Sequence, residues 1–279
     1  MSDRRRILGP SDAKIPILGA SSALQTSESS FSAEKSPAAS QNRSSDNVRS
    51  FFLKSGLTKN ANGLAYLEVG DCILEVAVFG PRPIRGLFVE KASFSVECKF
   101  LPYITQPEES IYNGASQTPQ GRPGLTPIEH KVSAFVETAF LPALLLEKYP
   151  KSTIDVFITV VAFNSQTASL LNLAAWTINC TSLALVDAGI EMRDLVSAGH
   201  VSISGEKTVL DPQLDPSAAT ECVASYMEMQ NNELVAFWIE GGEVSLDILL
   251  RLMAGCETMS LVVRKNINGL MLLLAAKKD

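Results

Sequence analysis

From Val156 to Val186 the chain carries no charged residue. A stretch that long and that apolar belongs either in a membrane or in the middle of a folded domain. It contains Asn164, Gln166, Asn172, Thr177, Asn179 and Thr181, too many hydrogen-bonding groups to leave in hydrocarbon. Its texture also changes half-way. Ile154 to Phe163 is rich in β-branched residues and predicts a strand, whereas Thr167 to Ala188 is apolar on most sides of a helix, with Gly189 suited to the C′ position. Such a helix lies at the centre of a domain, so the rest of the fold must be built around it.

There is enough chain to do so. The sequence has 279 residues, 46% of them hydrophobic, which suits one large domain with a sizeable core. Residues 1–50 hold seven Lys/Arg against five Asp/Glu, leaving 17 against 25 for residues 51–279, a body charge near −8. That balance argues against a strongly basic nucleic-acid sleeve. The five cysteines are scattered, no CxxC occurs, and the two histidines are His130 and His200. A disulfide framework and a Cys/His zinc site are therefore not expected, and a reducing compartment is. The opening Asp3 to Pro10 string is charged, and no apolar stretch of signal length follows it. The expectation is a soluble intracellular protein with no membrane partner.

Residues 11–50 contain 12 serines and one aromatic, Phe31. Such a composition buries too little apolar surface to offset its ordering entropy, which predicts a disordered Ser-rich arm over 1–57. The folded domain is expected over 58–275. Gly63–Val69 and Cys72–Phe79 read as two strands across Gly70-Asp71, ended by Gly80-Pro81, and Phe88 to Phe100 as a third, with Phe94, Val96 and Cys98 on one face. Residues 106–125 are rich in Gly and Pro and predict a long loop. Thr126-Pro127-Ile128-Glu129 has capping-box spacing and opens a helix that Pro142 should kink near its end. Short strands are expected over 200–204, 207–210, 221–229 and 233–239, with Asn231-Asn232 turning the last pair, and a final helix from Ser245 to about Lys265. The element order predicts an α+β fold, a mixed sheet packed with helices.

Four chemistries can be weighed on this frame. A Cys/His nucleophile needs a thiolate beside an imidazole, but most of the cysteines sit in apolar strand or helix patterns, where a free cysteine packs as a small hydrophobe. A phosphate cradle needs glycine at a strand-to-helix turn, and the turn before the central helix reads Phe163-Asn164-Ser165-Gln166-Thr167. Asp211 and Asp215 could act as a carboxylate pair, although Asp-Pro pairs are ordinary turn chemistry. The Pro-stiffened Gly80–Gly86 loop displays Arg82 and Arg85, with Lys91 and Lys99 beyond it, a cluster that can neutralise phosphates, although a solvated surface is the commoner explanation.

Two strings resemble the RNase PH-like family: Gly70 through Arg82, and Leu183-Ala-Leu-Val-Asp187-Ala-Gly189-Ile-Glu-Met-Arg193-Asp194-Leu195. The resemblance runs over about residues 58–275 and implies the RNase PH-like fold, of the ribosomal protein S5 domain 2-like kind. The opening Asp3 to Pro10 string before a Ser-rich arm is similar to the mRNA-transport class of ring subunit in the eukaryotic RNA exosome. Active members of the family phosphorolyse RNA from its 3′ end with three groups of residues. Where they place an Arg pair before the first helix, this chain has Leu125 and Thr126. Where they place a Gly-Gly-(Ser/Thr)-Arg string for inorganic phosphate, it has Asn172, Leu173 and Ala174 among the matching positions. Where they place a Leu-Asp-x-x-x-x-Glu-Asp pattern, Asp211 fits the first acidic position, and Pro216 and Ser217 take the later ones.

The resemblance implies a structural subunit and not an enzyme, with no catalytic residue, cofactor or metal ligand, and with Arg82, Arg85, Lys91 and Lys99 as candidate RNA contacts. Its implied partners are other RNase PH-like subunits in a hetero-hexamer, S1/KH cap subunits, a hydrolytic exoribonuclease subunit and RNA. Its implied work is rRNA processing and RNA degradation in nucleus, nucleolus and cytoplasm. The competing expectation is an active phosphate-dependent 3′-to-5′ exoribonuclease. A free-standing RNA-binding module is disfavoured by the acidic body.

Overall fold

The charge-free run lies within the span of a strand, β5 (Ser152–Ala162), and a helix, α2 (Leu170–Asp187), in a computed structural model that describes residues 47–86, 88–107, 124–205, 207–213, 220–228, 232–242 and 244–276. Every residue of α2 from Leu170 to Leu185 is buried. The helix is long and apolar enough to cross a membrane, yet it is the core of the domain. Its polar groups are matched internally. Thr177 and Thr181 donate to the carbonyls of Leu173 and Thr177, and the Asn179 amide both donates to and accepts from the backbone of Ala198. The helix starts at Leu170 and not at Thr167, because the Ser169 hydroxyl caps it by accepting from the Asn172 N–H at 3.2 Å.

Two sheets sandwich this helix. The first is mixed and runs β1 (Phe52–Ser55), β2 (Gly63–Val69), β3 (Cys72–Pro83), β5, β4 (Ser93–Phe100), with β4 and β5 parallel and the other pairs antiparallel. The second is antiparallel and runs β7 (Lys207–Leu210), β6 (Ser197–Ser204), β8 (Thr220–Met227), β9 (Glu233–Gly241). Helix α2 touches β2 and β3 on one side and β6 and β8 on the other; α1 (Pro127–Phe140) bridges β4 and β9; α3 (Leu246–Ala276) covers the outer face of the second sheet. The fold is therefore α+β, as expected, with the strands divided between two sheets. Two glycines permit the close approach. A Cβ on Gly63 would lie 2.2 Å from the Ala188 nitrogen, and one on Gly199 would lie 2.1 Å from the Cys256 carbonyl oxygen.

Several boundaries move. Residues up to 57 were expected in the arm, yet Val48, Phe51 and Leu53 pack against the main core and β1 pairs with β2. Four residues alternate too briefly to announce a strand, and the pairing with β2 decides it. Strand β3 continues through Gly80-Pro81 to Pro83, because a register shift between Phe79 and Arg82 lets its end keep pairing with β5. The third strand begins at Ser93, and α1 ends at Phe140, so Pro142 lies past the helix and kinks nothing. Helix α3 runs eleven residues beyond Lys265, to Ala276. The basic Asp3–Pro10 string, the arm through residue 46, residues 108–123 of the expected loop, Asp215, Pro216, Ser217 and Asn231 lie outside the described residues.

Candidate functional site

Arg49 reaches the N-terminal end of α2 from the segment just before β1. Beside it the Phe51 ring packs on the Trp176 ring at a centroid distance of 5.0 Å, which holds the segment against the helix. The guanidinium grips Asp211, at the end of β7, in a fork: Nε donates to Oδ2 at 2.7 Å and Nη2 to Oδ1 at 2.6 Å. The Arg49 backbone N–H adds a third bond to Oδ2 at 3.1 Å. From α2, Asn172 Nδ2 donates to Asp211 Oδ1 at 2.8 Å and Trp176 Nε1 at 3.2 Å. Both oxygens of a fully buried carboxylate are thus held by the protein's own donors.

The electrostatics follow. Burial works to raise the Asp211 pKa, but the hydrogen bonds and charge of Arg49 outweigh it and hold the carboxyl below its usual range. Asp211 adopts φ +48, a left-handed conformation that aspartate tolerates better than most residues. The cluster extends outward: Asn172 Nδ2 lies 3.1 Å from His200 Nδ1, and His200 Nε2 lies 3.3 Å from Glu221 Oε2. One polar network therefore joins the lead-in to β1, β7, α2, β6 and β8.

Two members of this network, Asn172 and Asp211, are among the positions that the sequence resemblance compares with the active-site residues of RNase PH-like proteins. Asn172, Leu173 and Ala174 are fully buried in the first turn of α2. Thr126 spends its hydroxyl as the cap of α1, accepting from the Glu129 N–H at 3.3 Å, while Glu129 returns a bond to the Thr126 N–H at 2.7 Å. All five cysteines are buried, and burial pushes the Cys72 thiol up to about 12 and raises Cys98 and Cys180 as well. Cys72, Cys98 and Cys180 are therefore not poised as thiolate nucleophiles. Among the described residues no group of His, Cys, Asp and Glu is placed to hold a metal ion.

The four candidate RNA contacts do not form one cluster. Arg82 is half-exposed, pairs with Asp155 and lies 5.8 Å from the centroid of the Phe79 ring. Arg85 is exposed on the following turn. Lys91 pairs with Glu147 at 2.9 Å and Lys99 with Glu97 at 2.9 Å. Arg82 shares a sheet row with Thr153 and Ser93, so Lys99 stands six residues along β4, about 20 Å away at the other end of the sheet. Arg49, Trp176 and Glu221 were not anticipated as a site. A single arginine in a Ser-rich segment carries no periodic signal, and its meaning comes from residues more than a hundred positions away.

Residues 47–191, more than half of the chain, match the profile of the 3′ exoribonuclease family, domain 1 (RNase_PH). The chain belongs to the RNase PH family. The matched segment begins at Asn47, just before Arg49 and β1, in agreement with their place in the domain. Among curated RNase PH-family relatives, the exosome complex component mtr3 of Schizosaccharomyces pombe is 32% identical over 203 residues, covering 72% of this chain and 67% of that protein. The exosome complex component MTR3 of Chaetomium thermophilum is 26% identical over 268 residues, covering 86% and 87%. The exosome complex component Rrp41 of Methanopyrus kandleri is 34% identical over 172 residues, covering 61% and 65%. The crystal structure of rice Rrp46 superposes with a TM-score of 0.62 at 22% identity, over 81% of this chain and 98% of that one, which establishes the shared fold.

Proposed function

We propose that this chain is a non-catalytic subunit in the RNase PH-like ring of an RNA exosome. The observation that carries the reading is the state of Asp211: every acceptor position that a proton or a metal would use already receives a protein donor. Catalysis at that carboxylate would require breaking a buried ion pair first. The uncharged Leu173 and Ala174 support it, since nothing on them can neutralise an attacking phosphate. The likeness to exosome components in two fungi supports the ring context.

In this reading the subunit supplies ring geometry with other RNase PH-like subunits, a docking surface for S1/KH cap proteins and part of the RNA path. RNA is cut by a hydrolytic exoribonuclease subunit, and the complex works in rRNA processing and RNA turnover in nucleus, nucleolus and cytoplasm. Arg82, Arg85, Lys91 and Lys99 are the residues proposed to meet RNA, where phosphate would compete with Asp155 for Arg82, Glu147 for Lys91 and Glu97 for Lys99.

The test has two arms. Purified chain incubated with 3′-labelled RNA and inorganic phosphate is expected to release no nucleoside diphosphate, and tagged chain is expected to retain ring partners through a high-salt wash. Diphosphate release by the wild-type chain that is lost in Asp211→Asn establishes the competing reading, an active phosphate-dependent exoribonuclease.

A further inference from the structure

A groove of about 460 Å3 separates the strap that carries Arg49 from the C-terminal half of α3. One wall is the continuous run Val48–Leu53, which leads through the strap into β1. The other is Val262, Asn266 and Leu270, which recur every four residues on one face of α3. Strand β1 stands at the end of its sheet and, among the described residues, pairs with β2 alone. Its outer row of N–H and C=O groups is therefore open, and a second extended backbone is what completes such an edge. The surfaces around the groove are apolar although solvent reaches them: Phe52 is 54% exposed, and Leu273, one turn beyond Leu270, is 65% exposed. Gly269 follows Asn266 by three positions and falls in the same stripe, and a Cβ built there meets nothing within 4 Å. A glycine inside a helix weakens it, but here it leaves space for another chain to come close.

Charge narrows what that chain is. The folded body is acidic, yet both walls carry cations only. Residues 47–62 contain Arg49, Lys54 and Lys59, residues 258–276 contain Arg264 and Lys265, and neither stretch holds an Asp or Glu. Arg49 is committed to Asp211, and Arg264 to Asp194 and Glu228. Lys54 on β1 and Lys265 on α3 are exposed and make no ion pair among the described residues. We propose that this groove docks an extended peptide segment of a partner protein, apolar at alternate residues and flanked by carboxylates, which adds as a strand to the free edge of β1 and rests its side chains on Val262, Leu270 and Leu273. The open edge selects an extended backbone, the α3 wall selects aliphatic side chains, and the two lysines select acid. Every group involved lies on this chain's own surface, so the proposal does not rest on the ring reading.

The probe is a displayed library of random peptides about ten residues long, panned against the full chain. Sequences that alternate apolar residues and carry at least one Asp or Glu are expected to enrich. A synthetic copy of the enriched sequence is expected to slow amide hydrogen exchange across Phe52–Ser55. Gly269→Phe fills the groove from a position with open space and removes a helix-interior glycine, so it is expected to fold and to bind at least about tenfold more weakly. Lys265→Glu is expected to weaken binding about two- to fivefold at low salt, with the difference shrinking at high salt. That exposed change keeps the test open should Gly269→Phe not fold. A library that yields no binder, binding unchanged in whichever variant folds, or exchange protection on α3 without protection on β1 overturns the proposal. So does an oligouridylate RNA that displaces the peptide, or a dimer of the chain itself that either variant abolishes.

Discussion

Replacing Arg49 by methionine keeps the length of the side chain and removes its charge, and the structure sets the expected cost. Asp211 would lose the bonds from Nε at 2.7 Å and Nη2 at 2.6 Å. It would keep those from the residue-49 backbone, Asn172 and Trp176. The side chains involved are 14% and 0% exposed, so water cannot replace the cation. Removing one partner of a buried pair costs about 3–5 kcal/mol. In a domain of this size that lowers Tm by about 6–20 °C. The pH dependence has a definite sign. The Asp211 carboxyl is held below its usual value, so its stabilisation is complete above about pH 4, the unfolded range. It is lost as pH falls through the lower folded value. The gap between wild type and Arg49→Met in urea unfolding should therefore be widest near neutrality and narrow toward about pH 3. Arg49→Met with Asp211→Asn should recover at least half the loss, because no buried charge is left alone. A difference below about 1 kcal/mol near neutrality, or one that does not shrink in acid, refutes the claim that this pair holds the strap to the core.

Four other outcomes follow from the packing and the charges. Gly199→Ala places a Cβ 2.1 Å from the Cys256 carbonyl oxygen, so β6 must move off α3; a loss of about 3 kcal/mol or more is expected by urea denaturation. Thr126→Ala removes the cap of α1 and should cost about 1 kcal/mol, with Thr126→Ser recovering most of it. Arg82→Ala breaks a half-exposed pair with Asp155 and should change stability by less than about 1 kcal/mol. Arg82→Glu with Arg85→Glu should instead weaken RNA protection by the assembled ring and flatten its salt dependence, and an unchanged salt slope removes both from the RNA path.

The sequence by itself determined the centre of the protein and most of its elements. A β-branched run with one buried face and an all-round apolar helix can be stable only against a core, so β5 and α2 were legible from composition and period. The capping box at Thr126 and the Gly70-Asp71 turn were legible for the same reason: each is decided by atoms within a few residues. The side chains at Asn172, Leu173 and Ala174 were likewise plain, because an uncharged side chain is uncharged before the chain folds. Tertiary structure alone decided the rest. Strand β1 exists because β2 offers it a partner, and the division into two sheets exists because α2 has two faces to cover. Above all, only folding brings Arg49 to an aspartate 162 positions away and commits both of its oxygens. Hydrogen bonds reach about 3 Å whatever the separation along the chain, so a buried charge pair closed over that span leaves no local pattern to read.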